Sequence, residues 1–334
     1  MPFPNQKARY PWPKPLRPCD DRYRKARRFN LRDAGTFLGL VLIFAVFAVL
    51  NPVFLTAPNL INILQQSSIN ACIALGMTFV IISGGIDLSV GPTAAVSAIV
   101  GATLMIAGVP IPLAVAGAIA TGMACGLFNG ALVEIAGLQP FIVTLGALSL
   151  YRALALIFTG GNPIFGIPTE FRSAINGLVM GVPVPVIIVA IIAAILWVVL
   201  NRSPLGEYIL AVGGNPEAAR IAGVPVARTK IIVYVLSGGM AAVAALILTG
   251  RLGAADPTMG NLWELDAIAA AAIGGASLTG GKGSVVGTLM GAVILGGLRN
   301  GLTLMNVQAF YQLLATGIII LVAMLIDRAT RGRA

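Results

Sequence analysis

Between Asp33 and Glu134 the chain carries a single charged side chain, Asp87. A water-soluble domain has about a quarter of its residues charged, so this tract cannot form the surface of one. It needs a surrounding that accepts apolar side chains on every face. A bilayer is such a surrounding, and there only helices and closed barrels satisfy their own backbone groups. The rest of the chain agrees, with 57% hydrophobic and 10% charged residues and a mean hydropathy of +0.92. A helical span takes about 20 apolar residues. Taken in order, the apolar runs fall near 35–50, 61–82, 90–107, 112–134, 139–159, 183–200, 229–250, 264–280, 284–302 and 308–326. The predicted fold is an all-α polytopic membrane protein of about ten transmembrane helices.

The net charge of +10 is concentrated in one place, since ten of the 22 basic residues lie between Lys7 and Arg32, against Asp20 and Asp21. With Pro11, Pro13, Pro15 and Pro18, residues 1–33 read as an extended, disordered basic arm. Residues 34–327 read as the membrane domain and 328–334, with Arg328, Arg331 and Arg333, as a basic tail. Lys and Arg close to spans mark the cytoplasmic side, so both termini are expected there, and the arm is read as an orienting, lipid-touching segment and not as a nucleic-acid binder. No apolar stretch begins before residue 34, which argues against a cleaved leader. The loops at 160–182 and 251–263 fall outside, where Arg172 and Arg251 are balanced by Glu170 and Asp256. There is no histidine, and Cys19, Cys72 and Cys125 form neither a disulfide framework nor a zinc spacing. With no histidine, no paired intramembrane carboxylates and no nucleophile beside a base, the residues argue against an enzyme.

The one long charged stretch between the spans runs from Asn201 to Lys230, with Arg202, Arg220, Arg228 and Lys230 against Glu207 and Glu217. Asn215 to Ala222 reads as a short helix inside it: Asn215 caps, Pro216 suits the first turn, Glu217 suits the positive end, and Gly223 and Pro225 stop it. Asp87 follows a Gly-Gly turn in Gly84-Gly85-Ile86-Asp87-Leu88-Ser89-Val90-Gly91. A carboxylate at membrane depth is either an ion-coupling group or a helix cap supplied with Ser89. Gly280-Gly281-Lys282-Gly283-Ser284 departs from a nucleotide loop, with Ala276 where the first glycine belongs and Gly283 in place of Ser or Thr. It reads as a basic turn that binds no ATP by that route, so energy would come from another subunit, as ATP used there, or from an ion gradient.

Asn62, Gln65, Gln66 and Asn70 share one helical face, and Asn129, Gln139, Asn300 and Gln308 add uncharged polar groups near span ends. Amides suit a neutral, hydroxyl-rich solute on a translocation path, and equally suit helix–helix contacts. Gly122, Gly126 and Gly130, Gly287 with Gly291, and Gly297 with Gly301 predict close helix approaches. Two internal echoes are present, and the first of them points to inverted repeats of five spans each. One pairs Asn129-Gly130 and Gln139-Pro140-Phe141 with Asn300-Gly301 and Gln308-Ala309-Phe310. The other pairs 84–89 with Gly274-Gly275-Ala276-Ser277-Leu278-Thr279. They require different alignments, so either one is chance or one of the segments is broken or re-entrant.

Three stretches resemble one family. Glu217-Ala218-Ala219 with Gly223 is similar to the core of the coupling loop of ABC-importer permeases, although Val233 and the missing Leu-Pro depart from the longer pattern. Residues 84–91 and 265–291 resemble the ribose-type sugar permeases. The resemblance implies a second permease chain (the same or a paralogue), ATPase subunits beneath, a periplasmic solute-binding protein outside, and a bacterial inner-membrane location. It implies that Gly213, Gly214, Asn215, Glu217, Ala218, Ala219 and Gly223 couple to the ATPase. It marks Gly84, Gly85, Asp87, Ser89 and Gly91 as a family signature. The alternative left open by the residues alone is an ion-coupled transporter or channel using Asp87.

Overall fold

A computed structural model describes residues 31–318 and Leu321; residues 1–30 of the basic arm, Cys19 among them, and the basic tail lie outside them, while residues 31–33, read as part of the arm, open α1. The helices are α1 (Leu31–Leu50), α2 (Ala57–Ile82), α3 (Val90–Ile106), α4 (Ile111–Glu134), α5 (Pro140–Thr159), α6 (Thr169–Asn176) and α7 (Val184–Arg202). Then come α8 (Pro204–Gly214), α9 (Pro216–Ile221), α10 (Val226–Leu252), α11 (Trp263–Ile273), α12 (Val285–Leu304) and α13 (Ala309–Ile318). The strands are two-residue pairs: β1 (Ile164–Phe165) with β4 (Ala254–Ala255), and β2 (Leu178–Val179) with β3 (Val182–Pro183). Among the described residues α2, α4, α5, α7, α10 and α12 are long and apolar enough to cross a membrane; the chain is an all-α polytopic membrane protein.

Prolines open α2, α4, α5 and α7, where a missing N–H leaves no unmet bond. Left-handed glycines close several ends, among them Gly84 (φ 85°) after α2 and Gly253 (φ 71°) after α10. Two sequence expectations change. The segment read as one span over 264–280 is helical only to Ile273, because Gly274 and Gly275 (φ 86°) end it in a turn. The polar loop 201–230 is largely helical: Ser203 and Pro204 break α7 from α8, and α9 and the start of α10 follow. Helices α1 to α5, α7, α10 and α12 match their predicted runs within a few residues, α6 lies in the predicted outer loop 160–182, and the run at 308–326 extends past the described residues.

The centre of the bundle is the pair α2 and α10. α3 and α4 pack on α10 and on each other, and α11 and α12 pack on α2 and on each other. α1 lies on α12, α5 on α3 and α4, and α7 on α2. The glycine stripe on α4 is what lets it touch α10 backbone to backbone. A Cβ at Gly122 would sit 2.3 Å from the Gly238 carbonyl oxygen, and one at Gly126 would sit 2.1 Å from that of Tyr234. Gly287 and Gly291 meet α11 the same way, against Gly274 and Ala270, whereas Gly297 and Gly301 receive the rings of Phe44 and Phe47 from α1. Such approaches maximise van der Waals contact where lipid provides no hydrophobic drive between helices.

A Cβ at Gly146 in α5 meets nothing within 4 Å. Gly126→Ala is therefore expected to destabilise the purified protein by roughly 1–3 kcal/mol through overpacking. Gly146→Ala is expected to leave thermal unfolding in detergent unchanged.

Candidate functional site

The interior site is built where α3 begins. Ser237, the twelfth of the 27 residues of α10, donates its hydroxyl to Asp87 Oδ2 at 2.9 Å. That places the carboxylate about 16 Å along a helix about 40 Å long, well inside the bundle. Asp87 Oδ1 accepts the Ser89 N–H at 3.0 Å and the Ser89 hydroxyl at 2.7 Å. The expected cap is modified, since both bonds to Asp87 Oδ1 come from Ser89 itself and Ser89 makes no side-chain cap to α3. Asn129 of α4 donates to Ser89 Oγ at 2.8 Å and accepts the Tyr151 hydroxyl of α5 at 2.9 Å. Asp87, Ser89, Asn129, Ser237 and Tyr151 are all buried, and one hydrogen-bonded chain ties α3, α4, α5 and α10 together. The sequence singled out Asp87, Ser89 and Asn129; Ser237 and Tyr151 carry no local pattern that would have found them.

Glycines make room for this. Gly84 holds the left-handed turn, and a Cβ on Gly85 would sit 2.7 Å from the Tyr234 hydroxyl oxygen. Gly91 and Gly260 press together: a Cβ on the first would lie 2.0 Å from the other's carbonyl oxygen, and one on the second 2.5 Å from the first's. The segment after α10 thus returns into the bundle to the level of α3. There Arg152 of α5 donates to the carbonyls of Pro257 and Met259. α3 and α11 both start at this level.

The two segments share a pattern that the sequence reading passed over. Gly84-x-x-Asp87-x-Ser89-x-Gly91 has the spacing of Gly253-x-x-Asp256-x-Thr258-x-Gly260. Asp256 Oδ1 accepts both the N–H and the hydroxyl of Thr258 at 2.7 Å, as Asp87 does from Ser89. The offset from Gly84 to Gly253 equals that from Gln139 to Gln308, so this pairing shares an alignment with that half of the first echo, while Asn129 and Asn300 lie two residues farther apart. The likeness of 84–89 to 274–279 has another origin: both are the turns that close a helix. Gly84 N–H bonds Ile81 O and Gly85 N–H bonds Val80 O; Gly275 N–H bonds Ala272 O and Ala276 N–H bonds Ala271 O. The two turns lie together, with Gly281 N–H on Ile82 O at 2.8 Å.

The amides divide. Asn129 is enclosed as described, and Asn300 exchanges hydrogen bonds with Asn59 of α2 at 2.9 and 3.0 Å, so both are joints between helices. On α2, Gln66 is exposed and bonds Asn62 at 3.4 Å, and Asn62, Gln65 and Asn70 are half-buried. Gln139 and Gln308 are exposed in the turns before α5 and α13.

A second feature projects at one end of the bundle. Asn215 Oδ1 accepts the Ala218 N–H at 3.0 Å and caps α9, and Gly223 (φ 84°) ends it, as the sequence predicts. Ala219 alone of this helix is buried, against Val212 and Val226. Gly214, Asn215, Glu217, Ala218 and Gly223 are exposed, Glu217 and Arg220 pair at 3.4 Å, and Ile221 is 88% exposed. Gly213 faces the other way, into the bundle, where its Cβ would meet the Ile82 carbonyl oxygen. At the base of the knob Lys230 of α10 pairs with Glu134 of α4 at 2.8 Å.

Residues 59–324 match the family model described as the branched-chain amino acid transport system / permease component. The ribose import permease protein RbsC of Bacillus subtilis is 46% identical over 300 residues, covering 89% of this chain and 93% of its own length. The D-allose transport system permease protein AlsC of Escherichia coli is 42% identical over 296 residues, 88% of this chain and 91% of its own. The galactose/methyl galactoside import permease protein MglC of Escherichia coli is 35% identical over 322 residues, 91% and 96%. No solved structure matches.

Asp87→Ala would leave three buried donors without an acceptor, each costing about 1–3 kcal/mol. The variant is expected to unfold well below the wild type in a detergent melt, and Ser237→Ala, which removes one donor only, to lie between the two.

Proposed function

The chain belongs to the branched-chain amino acid transport system / permease component family, and on that premise we propose that it is the membrane subunit of an ATP-driven importer for a monosaccharide or related neutral polyol. The solute class is drawn from relatives named for ribose, allose and galactose. The chain is a transport subunit, and ATP is hydrolysed on a partner subunit. A periplasmic solute-binding protein and a second permease chain complete the assembly in the bacterial inner membrane.

The observation that carries the coupling role is the exposed, capped α9, seated on the bundle through Ala219 alone. Asn215, Glu217, Ala218 and Gly223 form its exposed surface and Ala219 and Gly213 its seat. An ATPase that closes around it can move it as a unit, because a helix keeps its hydrogen bonds internal.

Ten spans are proposed: α1 to α5, α7, and α10 to α13, with both termini on the side of α9. The arrangement of an inverted repeat supports this. Exchanging α2 with α10, α3 with α11 and α4 with α12 reproduces the central packing, and the pseudo-two-fold falls between Gly91 and Gly260. In this layout 1–33, 34–327 and 328–334 are arm, membrane domain and tail, with 201–230 as the coupling segment. The path is assigned to the α2 face bearing Asn62, Gln65, Gln66 and Asn70, because exposed amides at membrane depth require water or a polar solute beside them. Asn129 and Asn300, closed in helix joints, are dropped from it. The ion-coupled alternative is not favoured, since Asp87 is spent on Ser89 and Ser237.

Glu217→Arg in the assembled importer is expected to abolish solute uptake while the chain reaches the membrane in normal amount. Uptake at the wild-type rate would contradict the coupling role.

A further inference from the structure

The turn Gly280-Gly281-Lys282 between α11 and α12 has no role in the reading so far. Its backbone is fixed on three sides. Gly280 N–H bonds Ser277 O, Ser277 N–H bonds Lys282 O at 2.9 Å, and Gly281 N–H bonds Ile82 O at the end of α2. Gly280 (φ 89°) and Gly281 (φ 75°) both need the left-handed region. The turn also lies against the end of α8, one residue ahead of the cap of α9. A Cβ on Gly280 would sit 2.5 Å from the Gly213 carbonyl oxygen, and one on Gly281 3.1 Å from Gly214 Cα. From this wedge Thr279 and Lys282 are exposed beside the exposed Gly214 and Asn215. Among the described residues Lys282 has no ion-pair partner. The neighbouring α8–α10 segment is basic too, with exposed Arg202, Arg220 and Arg228 against Glu207 and Glu217.

We propose that this turn is a second docking contact for the ATPase subunit, beside α9, with Lys282 received by a carboxylate of that partner. The proposal rests on the reading of α9 as the coupling helix. Acid on the partner fits the basic face. Anionic lipid is the poorer occupant: the turn sits on the end of α2, which is enclosed by α7, α8, α10, α11 and α12, and not on the outer rim. The turn and α9 are joined backbone to backbone through Gly213, so a partner holding both would load α8, α2 and α12 together.

The test is binding of the importer's purified ATPase subunit to the full-length permease in a neutral detergent without lipid. Lys282→Glu is expected to weaken binding about ten-fold at low salt, Lys282→Arg to bind as the wild type does, and added salt to narrow the gap. Unchanged elution and thermal unfolding of Lys282→Glu would establish that it is folded. If Glu217→Arg weakens binding and Lys282→Glu does not, the second contact is overturned and the role of α9 stands. If neither weakens it, both fall. An effect of Lys282→Glu that appears only when phosphatidylglycerol is added assigns the lysine to lipid and overturns the proposal.

Discussion

A carboxylate enclosed by apolar helices must find all its hydrogen bonds within the protein, and the bundle is assembled around one that does. Asp87 takes the N–H and hydroxyl of Ser89 and the hydroxyl of Ser237, and Ser89 passes the connection to Asn129 and Tyr151. Leaving any of these groups unpaired would cost far more here than at a wet surface. The chain therefore fixes where α3 starts and how it meets α4, α5 and α10. It also explains the glycines around it. Gly84 and Gly85 bring the strand of backbone into place, and Gly91 admits the returning segment at Gly260.

The same economy of side chains appears at the end of the bundle where α9 projects. Gly213, Gly280 and Gly281 bring the ends of α8 and α2 and the turn before α12 into direct backbone contact. At Gly213, Gly280 and Gly281 the contact is backbone on backbone. Farther along, Lys230 and Glu134 tie the start of α10 to the end of α4. On the proposed coupling role, a displacement of α9 would pass to α2 and α10, the two helices against which the others pack. That is the physical content of a gate driven from one side.

Much of this is readable in the chain. Apolar runs place the helices because lipid demands about 20 residues per crossing, and Asn215, Pro216 and Gly223 delimit α9 by local capping alone. The glycine stripe on α4 announces a close helix approach but not that α10 is the partner. What was illegible is non-local. Ser237 is one hydroxyl in an apolar helix until Asp87 lies beside it, and Asn300 gives no hint of Asn59. The dip at Gly253–Gly260 was hidden because its polar residues sit in what reads as an ordinary outer loop. Its spacing, shared with 84–91, was the available signal. Conversely, the turn-like likeness of 274–279 to 84–89 misled, because helix-ending glycines recur wherever helices end.

On the proposed function this chain is a conduit that does no work of its own. The measurement that bears on it most directly is uptake of a candidate monosaccharide into proteoliposomes holding the purified chain alone. A proton or sodium gradient should drive no accumulation there, whereas co-reconstitution with the ATPase and binding protein, with ATP supplied, should. Accumulation against a gradient by the chain alone would contradict the account at its root.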